Sequence, residues 1–368
     1  MNVGELINLL EDWAPPGAAW EKDNVGLQVG SRRDKLKNIL LCLEVDEEVL
    51  KEAIKKKCNL IFSHHPLIFK PIKKLDLQKD KQSNLIAGLI KNNISLYSAH
   101  TNLDFTRDGV SFELARILKL KNISFLQNEE GNQFKVVVFV PSENLESFSE
   151  SLFETGAGII GNYEKCSFRL NGEGTFKGNE KSNPSVGKKG ELEKVKEVRL
   201  ELIADAWKLN HLISAVKKYH PYEEPAYDIY PLKNRNANYG AGAVGYLEYE
   251  MSEKEFLKHT VSSLKTGRLK YCSGSGKKIK KVAVCGGSGS DLTDAALNSG
   301  ADAFITADIK YHTYHDARGK ILLVDAGHYE TEIGSLNAVK RKIEKFLMDK
   351  ETIKVYKYSG STNPVKFY

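Results

Sequence analysis

The sequence predicts an α/β fold: a layered α/β domain that carries an inserted ferredoxin-like α+β domain. Three observations lead there. Short apolar runs of strand type alternate with helical patterns in the first third of the chain and again in the last, as expected of strands layered against helices. The middle third strings two βαβ-type segments together, the order of a ferredoxin-like unit. A chain of 368 residues also exceeds one ordinary hydrophobic core, so two domains are expected.

Taken in order, Val3 to Trp13 spaces its apolar residues for a helix, Asn38 to Leu43 is a buried-type strand, and Asp46 caps a helix through Lys55. Leu60-Ile61-Phe62 is a second strand, followed by a helix from about Ser83 to Lys91 and a strand from Ile94 to Ser98. The last third repeats the pattern, with strands at Val282 to Cys285, Ala303 to Thr306 and Ile321 to Val324. Helices near Leu292 to Asn298 and Tyr311 to Arg318 separate them, which predicts a largely parallel or mixed sheet. In the middle, Lys135 to Val140 is a strand, Glu143 to Phe153 a helix and Cys166 to Leu170 a strand. A polar stretch from Lys177 to Glu191 reads as a long loop. Strand Glu197 to Ile203, helix Trp207 to Tyr219 and strand Ala226 to Tyr230 follow, and Asn234 to Gly240 reads as an exit linker. The inserted domain is therefore placed at 129–237, within a discontinuous domain of 1–128 and 238–368.

Composition excludes several classes. A hydrophobic fraction of 41% and a charged fraction of 28% are those of a soluble globular protein, and no run of eighteen apolar residues offers a membrane span. The start carries acids early and has no basic-then-apolar leader, so a signal peptide is not expected. Cys42, Cys58, Cys166, Cys272 and Cys285 are scattered and odd in number, which suits reduced thiols and a cytoplasmic setting. The net charge of +6 is mild, and lysine runs such as Lys55-Lys56-Lys57 are ordinarily solvated faces, so neither nucleic acid nor membrane is an expected partner.

Three distant segments share one feature: a strand ends and metal-capable side chains follow. In Ser63-His64-His65-Pro66, the proline turns the backbone so that both histidines can serve one cavity. In Ala99-His100-Thr101-Asn102-Leu103-Asp104, a histidine and a carboxylate sit just past a strand, where α/β sheets place their ligands. In Ala326-Gly327-His328-Tyr329-Glu330-Thr331-Glu332, His328 and Glu332 are i and i+4 on a helix expected to run to about Met348. Each alone has an ordinary reading: a polar loop, a helix cap at Asp104, an exposed helix face. Together they offer three imidazoles and two carboxylates at the expected C-terminal edge of one sheet. Five nitrogen and oxygen ligands exceed one open metal but suit two ions bridged by a carboxylate, with water completing the coordination.

These segments, with Asp23-Asn24-Val25-Gly26-Leu27-Gln28-Val29-Gly30 and Cys285-Gly286-Gly287-Ser288-Gly289, resemble the NIF-three-like family of dinuclear-metal proteins, often named GTP cyclohydrolase 1 type 2 homologues. The resemblance covers both ends of the chain. It implies that His64, His65, Asp104, His328 and Glu332 are the metal ligands, with the carboxylates as bridges. It also implies an inserted domain similar to PII and CutA proteins, and ring-like homohexamers. One departure is Glu44, where relatives carry Asp in a Leu-Asp-Val segment; it is not among the proposed ligands.

Further residues join as expectations. His312 is a candidate general acid or base, Lys310 a phosphate contact, and His100 a partner that orients a ligand or relays a proton. The turn from Cys285 to Asp291 either binds an anion through its amides or caps a helix. His220-Pro221-Tyr222-Glu223-Glu224-Pro225 looks ligand-like, but its prolines and its place in the inserted domain favour a structural turn or an oligomer contact. Mixed imidazole and carboxylate ligands suit two divalent ions per chain from among Zn, Mn, Fe, Co and Ni. The expected function is a metal-dependent, cyclohydrolase-like hydrolase acting on a nucleotide-like or phosphorylated small molecule, or else a metal-handling or regulatory hexamer.

Overall fold

The computed structural model describes residues 1–348 and 352–366. The chain forms two compact units, Met1–Gln127 with Tyr239–Tyr368, and Asn128–Asn238. The first unit holds two sheets. One has the order Gly26–Val29, Ser95–Ser98, Cys58–Ser63, Asn38–Cys42, Val355–Lys357, parallel throughout except for the antiparallel edge strand Gly26–Val29. The other has the order Lys270–Cys272, Leu322–Asp325, Ala303–Ala307, Ile279–Ser288, Arg235–Met251, Lys121–Glu130, with a parallel centre.

Near-continuous apolar runs form these central strands because both faces are covered. Successive side chains point to opposite faces, so Ile39, Leu41, Leu60 and Phe62 enter one core while Leu40 and Ile61 enter another. In the second sheet, Ala303, Ile305, Leu322 and Val324 likewise face one core, and Phe304 and Leu323 the opposite one. The helices begin where capping chemistry places them. Asn2 accepts the Glu5 N–H at 2.9 Å while Glu5 accepts the Asn2 N–H at 2.6 Å, so Val3–Trp13 starts in a capping box. The Asp46 carboxylate accepts the Val49 N–H and starts Glu47–Lys55.

The second unit runs strand Gln133–Pro141, helix Leu145–Phe153, strands Ser167–Lys177 and Leu192–Asp205, helix Ala206–Tyr219 and strand Tyr227–Leu232. Its antiparallel sheet has the order Ser167–Lys177, Leu192–Asp205, Gln133–Pro141, Tyr227–Leu232, the ferredoxin-like arrangement. Val136, Val138, Leu200 and Leu202 pack one face of it against Phe148, Leu152, Leu212 and Val216 of the two helices.

Three local expectations are corrected. Asn234 to Gly240 is no linker loop: nearly all of it lies in the 17-residue strand Arg235–Met251. The helix expected from His328 to Met348 is two helices, His328–Glu332 and Ser335–Phe346, parted at Ile333-Gly334. The three strand ends do not share one sheet, because Cys58–Ser63 and Ser95–Ser98 belong to the first sheet and Leu322–Asp325 to the second. The strand Lys121–Glu130 and the helix Glu253–Leu264 escaped the sequence reading. The strand is largely polar and lies at a sheet edge, where alternation is a weak signal.

Candidate metal centre

His64 and His65 leave the end of Cys58–Ser63 with their N–H groups on the Cys42 and Leu43 carbonyls, which extends the register of the neighbouring strand past its end. Their rings stand 4.9 Å apart. His100 ends the turn after Ser95–Ser98, with its ring 5.3 Å from each of them. From the second sheet, Gly327 at φ +90° turns the chain sharply after Leu322–Asp325 and starts the helix that carries His328 and Glu332.

The ligand-type atoms converge. One atom each of His64, His65 and His100 lie within 4.8 Å of one another, and so do atoms of His65, His328 and Glu332. Glu332 Oε1 is 3.0 Å from His328 Nε2 and 3.7 Å from His64 Nε2, and its Oε2 is 3.2 Å from His65 Nε2. Asp104 Oδ1 lies 3.7 Å from His64 Nε2. All five residues singled out as ligands therefore meet, and His100 joins them.

Each imidazole presents Nε2 inward because its Nδ1 is held from behind. His64 Nδ1 meets the Ala99 carbonyl at 2.8 Å, His65 Nδ1 the Glu44 carboxylate at 2.9 Å, and His328 Nδ1 the Asp308 carboxylate at 2.6 Å. His100 Nδ1 faces Asp23 Oδ2 at 2.9 Å, and the Thr101 N–H and hydroxyl donate to that same oxygen. Such backing sets the tautomer and raises the basicity of a metal ligand. Glu44, Asp308 and Asp23 were not foreseen in this role. Glu44 and Asp308 each follow a strand end within two residues and Asp23 precedes a strand, so the signal that found the ligands could have found them too.

The cluster could hold a metal ion. His64 Nε2, Asp104 Oδ1 and Glu332 Oε2 are buried and have no hydrogen-bond partner, which is costly unless another group satisfies them. Gly287, at φ +62°, lies against the Glu332 carboxylate so closely that a Cβ there would stand 2.2 Å from Oε1. Burial opposes charge on His65, but Glu332 and Glu44 outweigh it and carry its pKa up to about 10. The Glu332 hydrogen bond, working against burial, lifts His328 to about 9. Burial is likewise overcome at His64, whose pKa is raised by Asp104 and Glu332. At Glu332, burial is overcome by the neighbouring imidazoles of His64, His328 and His65, which hold its pKa well below the usual carboxylate range. Burial raises Asp104. In effect, protons on the imidazoles supply the positive charge that divalent ions would supply.

A cavity of about 660 Å³ opens on His65 and His328, lined also by Arg268, Lys270, Tyr329 and Asn363. Lys310 and His312 are not in its wall; both are exposed, at the cap and first turn of Tyr311–Ala317. Three amides of the glycine turn are engaged within the fold. Its Gly286, Gly287 and Gly289 amides donate to the hydroxyls of Ser111, Thr331 and Thr306. His220 is structural: its Nε2 meets the Phe139 carbonyl at 2.8 Å and its Nδ1 accepts the Tyr222 N–H at 3.0 Å. All five cysteines are free, and no helix among the described residues is long and apolar enough to cross a membrane.

A family model described as Duf34/NIF3 (NGG1p interacting factor 3) matches residues 1–364. A GTP cyclohydrolase 1 type 2 homolog of Halalkalibacterium halodurans is 39% identical over 369 residues, covering 100% of this chain and 99% of that one. Among solved structures, a Bacillus cereus protein related to NIF3 superposes with a TM-score of 0.83 at 37% identity, covering 100% of this chain and 99% of the other. A Staphylococcus aureus protein does so with a TM-score of 0.77 at 32% identity and the same coverage.

Proposed function

The chain belongs to the Duf34/NIF3 family, and from that premise we propose that it is a dinuclear divalent-metal protein that hydrolyses a nucleotide-like or phosphorylated small molecule. One observation carries the reading: two three-residue groups share His65, and three buried polar atoms at their centre have no partner. His64, His65, Asp104, His328 and Glu332 would hold the ions, and Zn, Mn, Fe, Co and Ni all suit that donor set. Bound there, two ions supply Lewis acidity toward a carbonyl or phosphoryl oxygen and toward water.

The remaining roles fall to the chain's own groups. His100, backed by Asp23, can hold a proton at the edge of the cluster. The cavity beside His65 and His328 has the volume of a small-molecule site, and its wall carries both cations, Arg268 and Lys270, and acids, Glu44, Asp308, Asp325 and Glu330. Self-association into homohexamers belongs to the same proposal and rests on the family resemblance; light scattering after size exclusion decides it.

The test is metal analysis of protein purified without added metal, beside His64→Ala and Glu332→Ala, with a hydrolysis screen of the metal-loaded protein. GTP, which the relatives' name contains, is the first substrate to try. About two ions per chain, falling to one or none in the variants, is expected. Unchanged metal content in both variants refutes the site. Full metal content with no turnover of nucleotides or phosphoesters refutes the hydrolase and leaves a metal-handling role.

A further inference from the structure

The sheet of the Asn128–Asn238 unit buries one face under its helices. Phe139, Glu197 and Arg199 alternate with that core and so point to the other face. Segments 178–185 and 222–226 join that face to enclose a cavity of about 610 Å³. Strand Ser167–Lys177 contributes glycine where a side chain would fill the space. A Cβ on Gly172 would meet nothing within 4 Å, and one on Gly174 would stand 2.0 Å from Glu197 Oε2. The Glu197 carboxylate therefore lies flat on the strand, in a residue only 9% exposed.

Beside it the buried Tyr222 hydroxyl makes no well-formed hydrogen bond, and the Glu197 carboxylate is the group that faces it. This phenol is rigidly placed. Its ring packs on Phe176 at 5.7 Å and on His220 at 5.1 Å, and its backbone N–H is held by His220. Phe139 completes an aromatic wall. Four carboxylates line the cavity, Glu173, Glu197, Glu223 and Glu224, against the cations Lys177 and Arg199. Arg199 is already spent, with its Nε on Glu201 at 2.9 Å and its guanidinium over the Phe139 ring. Glu223 accepts the Asn183 N–H, Glu173 pairs with Lys194 and Glu224 is exposed, so Glu197 is the buried carboxylate that faces the cavity beside the Tyr222 hydroxyl.

We infer that this cavity binds a small organic ammonium compound, with the ammonium on Glu197 and the Tyr222 hydroxyl and the hydrocarbon body between Phe139 and Phe176. A buried carboxylate supplies the counter-charge, the phenol hydroxyl a further hydrogen bond, and aromatic faces attract a cation. Neither the family match nor the metal cluster assigns such a site.

Calorimetric titration of the full-length, chelator-treated protein with phenethylammonium chloride tests it, with 2-phenylethanol as the uncharged isostere. Saturable binding of the ammonium and none of the alcohol is expected. Glu197→Gln should weaken binding by about 10- to 100-fold, the range for losing a charge-assisted hydrogen bond, and Tyr222→Phe by up to about tenfold. His64→Ala should bind as wild type does. The inference is overturned by absence of saturable binding, by equal binding of the alcohol, or by full affinity in a folded Glu197→Gln. Loss of binding in His64→Ala alone would overturn it too, by placing the amine at the metal cluster. The alcohol comparison needs no variant, so misfolding of one cannot blur the outcome.

Discussion

Glu44→Gln probes the proposed metal centre without removing a proposed ligand. Glu44 Oε1 stands 2.9 Å behind His65, the one imidazole common to both ligand groups. With Glu332 it overcomes burial and raises His65 to about 10. Glutamine keeps a carbonyl that can accept the Nδ1–H but loses the negative charge. The His65 pKa should therefore fall toward, without reaching, the ordinary 6.5, because Glu332 remains 3.2 Å from Nε2. Carboxylates that back a metal-bound imidazole are typically worth about 10–100-fold in affinity, and that is the loss expected for both ion positions. A second readout follows from the protons. At neutral pH the metal-free cluster carries protons on His65 and His328, and a binding ion must displace them. Wild-type affinity should then rise with pH by about tenfold per unit for each displaced proton, up to about pH 9. Titrations in two buffers of different ionisation enthalpy count those protons, and Glu44→Gln should release fewer. Wild-type affinity flat between pH 6.5 and 8.5, or a variant equal to wild type in affinity and proton release, refutes the reasoning.

Thr362→Val should lower zinc affinity by about three- to tenfold, since the Thr362 hydroxyl donates to the other Glu44 oxygen and holds it toward His65. Thr362→Ser should restore it, and an unchanged affinity in the valine variant would reduce that contact to surface packing. Gly287→Ala places a Cβ 2.2 Å from Glu332 Oε1 at φ +62°. It should fold with a loss of about 1–2 kcal/mol in urea unfolding yet lose bound metal, and wild-type metal content would contradict the close approach. Chelator-treated protein should become less stable in alkali. Its raised histidines contribute stability in full below about pH 6.5, lost as pH rises through about 9 for His328 and about 10 for His65. Urea midpoints from pH 7 to 10 measure this, and the fall should be smaller in His65→Gln; an equal fall in both proteins would place its origin elsewhere.

The residues of the cluster were legible because chemistry and backbone geometry coincide at them. His64 and His65 follow a strand end directly, His328 starts the short helix after another, and Asp104 and Glu332 close the short helices that come next; strand ends can be read from apolar runs. The helices of the first unit were legible for a similar local reason. Asn2 and Asp46 cap their helices within four residues, so boundary and pattern agree. What failed was long range. Nothing local says that Leu322–Asp325 belongs to a different sheet from Cys58–Ser63, since both are equally apolar and both have parallel neighbours.

The same distinction separates the residues that the fold brings to the cluster from those that it does not. Lys310 and His312 follow the same strand end, three and five residues past Ala307 where Asp308 is one, and only Asp308 reaches the cluster. The reason is backbone direction. Asp308 sits in the left-handed region at φ 54°, a conformation aspartate tolerates better than most residues, and its carboxylate meets His328. Ile309 is buried, while Lys310 and the first turn of Tyr311–Ala317 face solvent. Composition at a strand end thus identifies which residues can serve a metal centre. The handedness of one residue decides which of them do, and that follows from packing across 20 residues of sequence between Asp308 and His328.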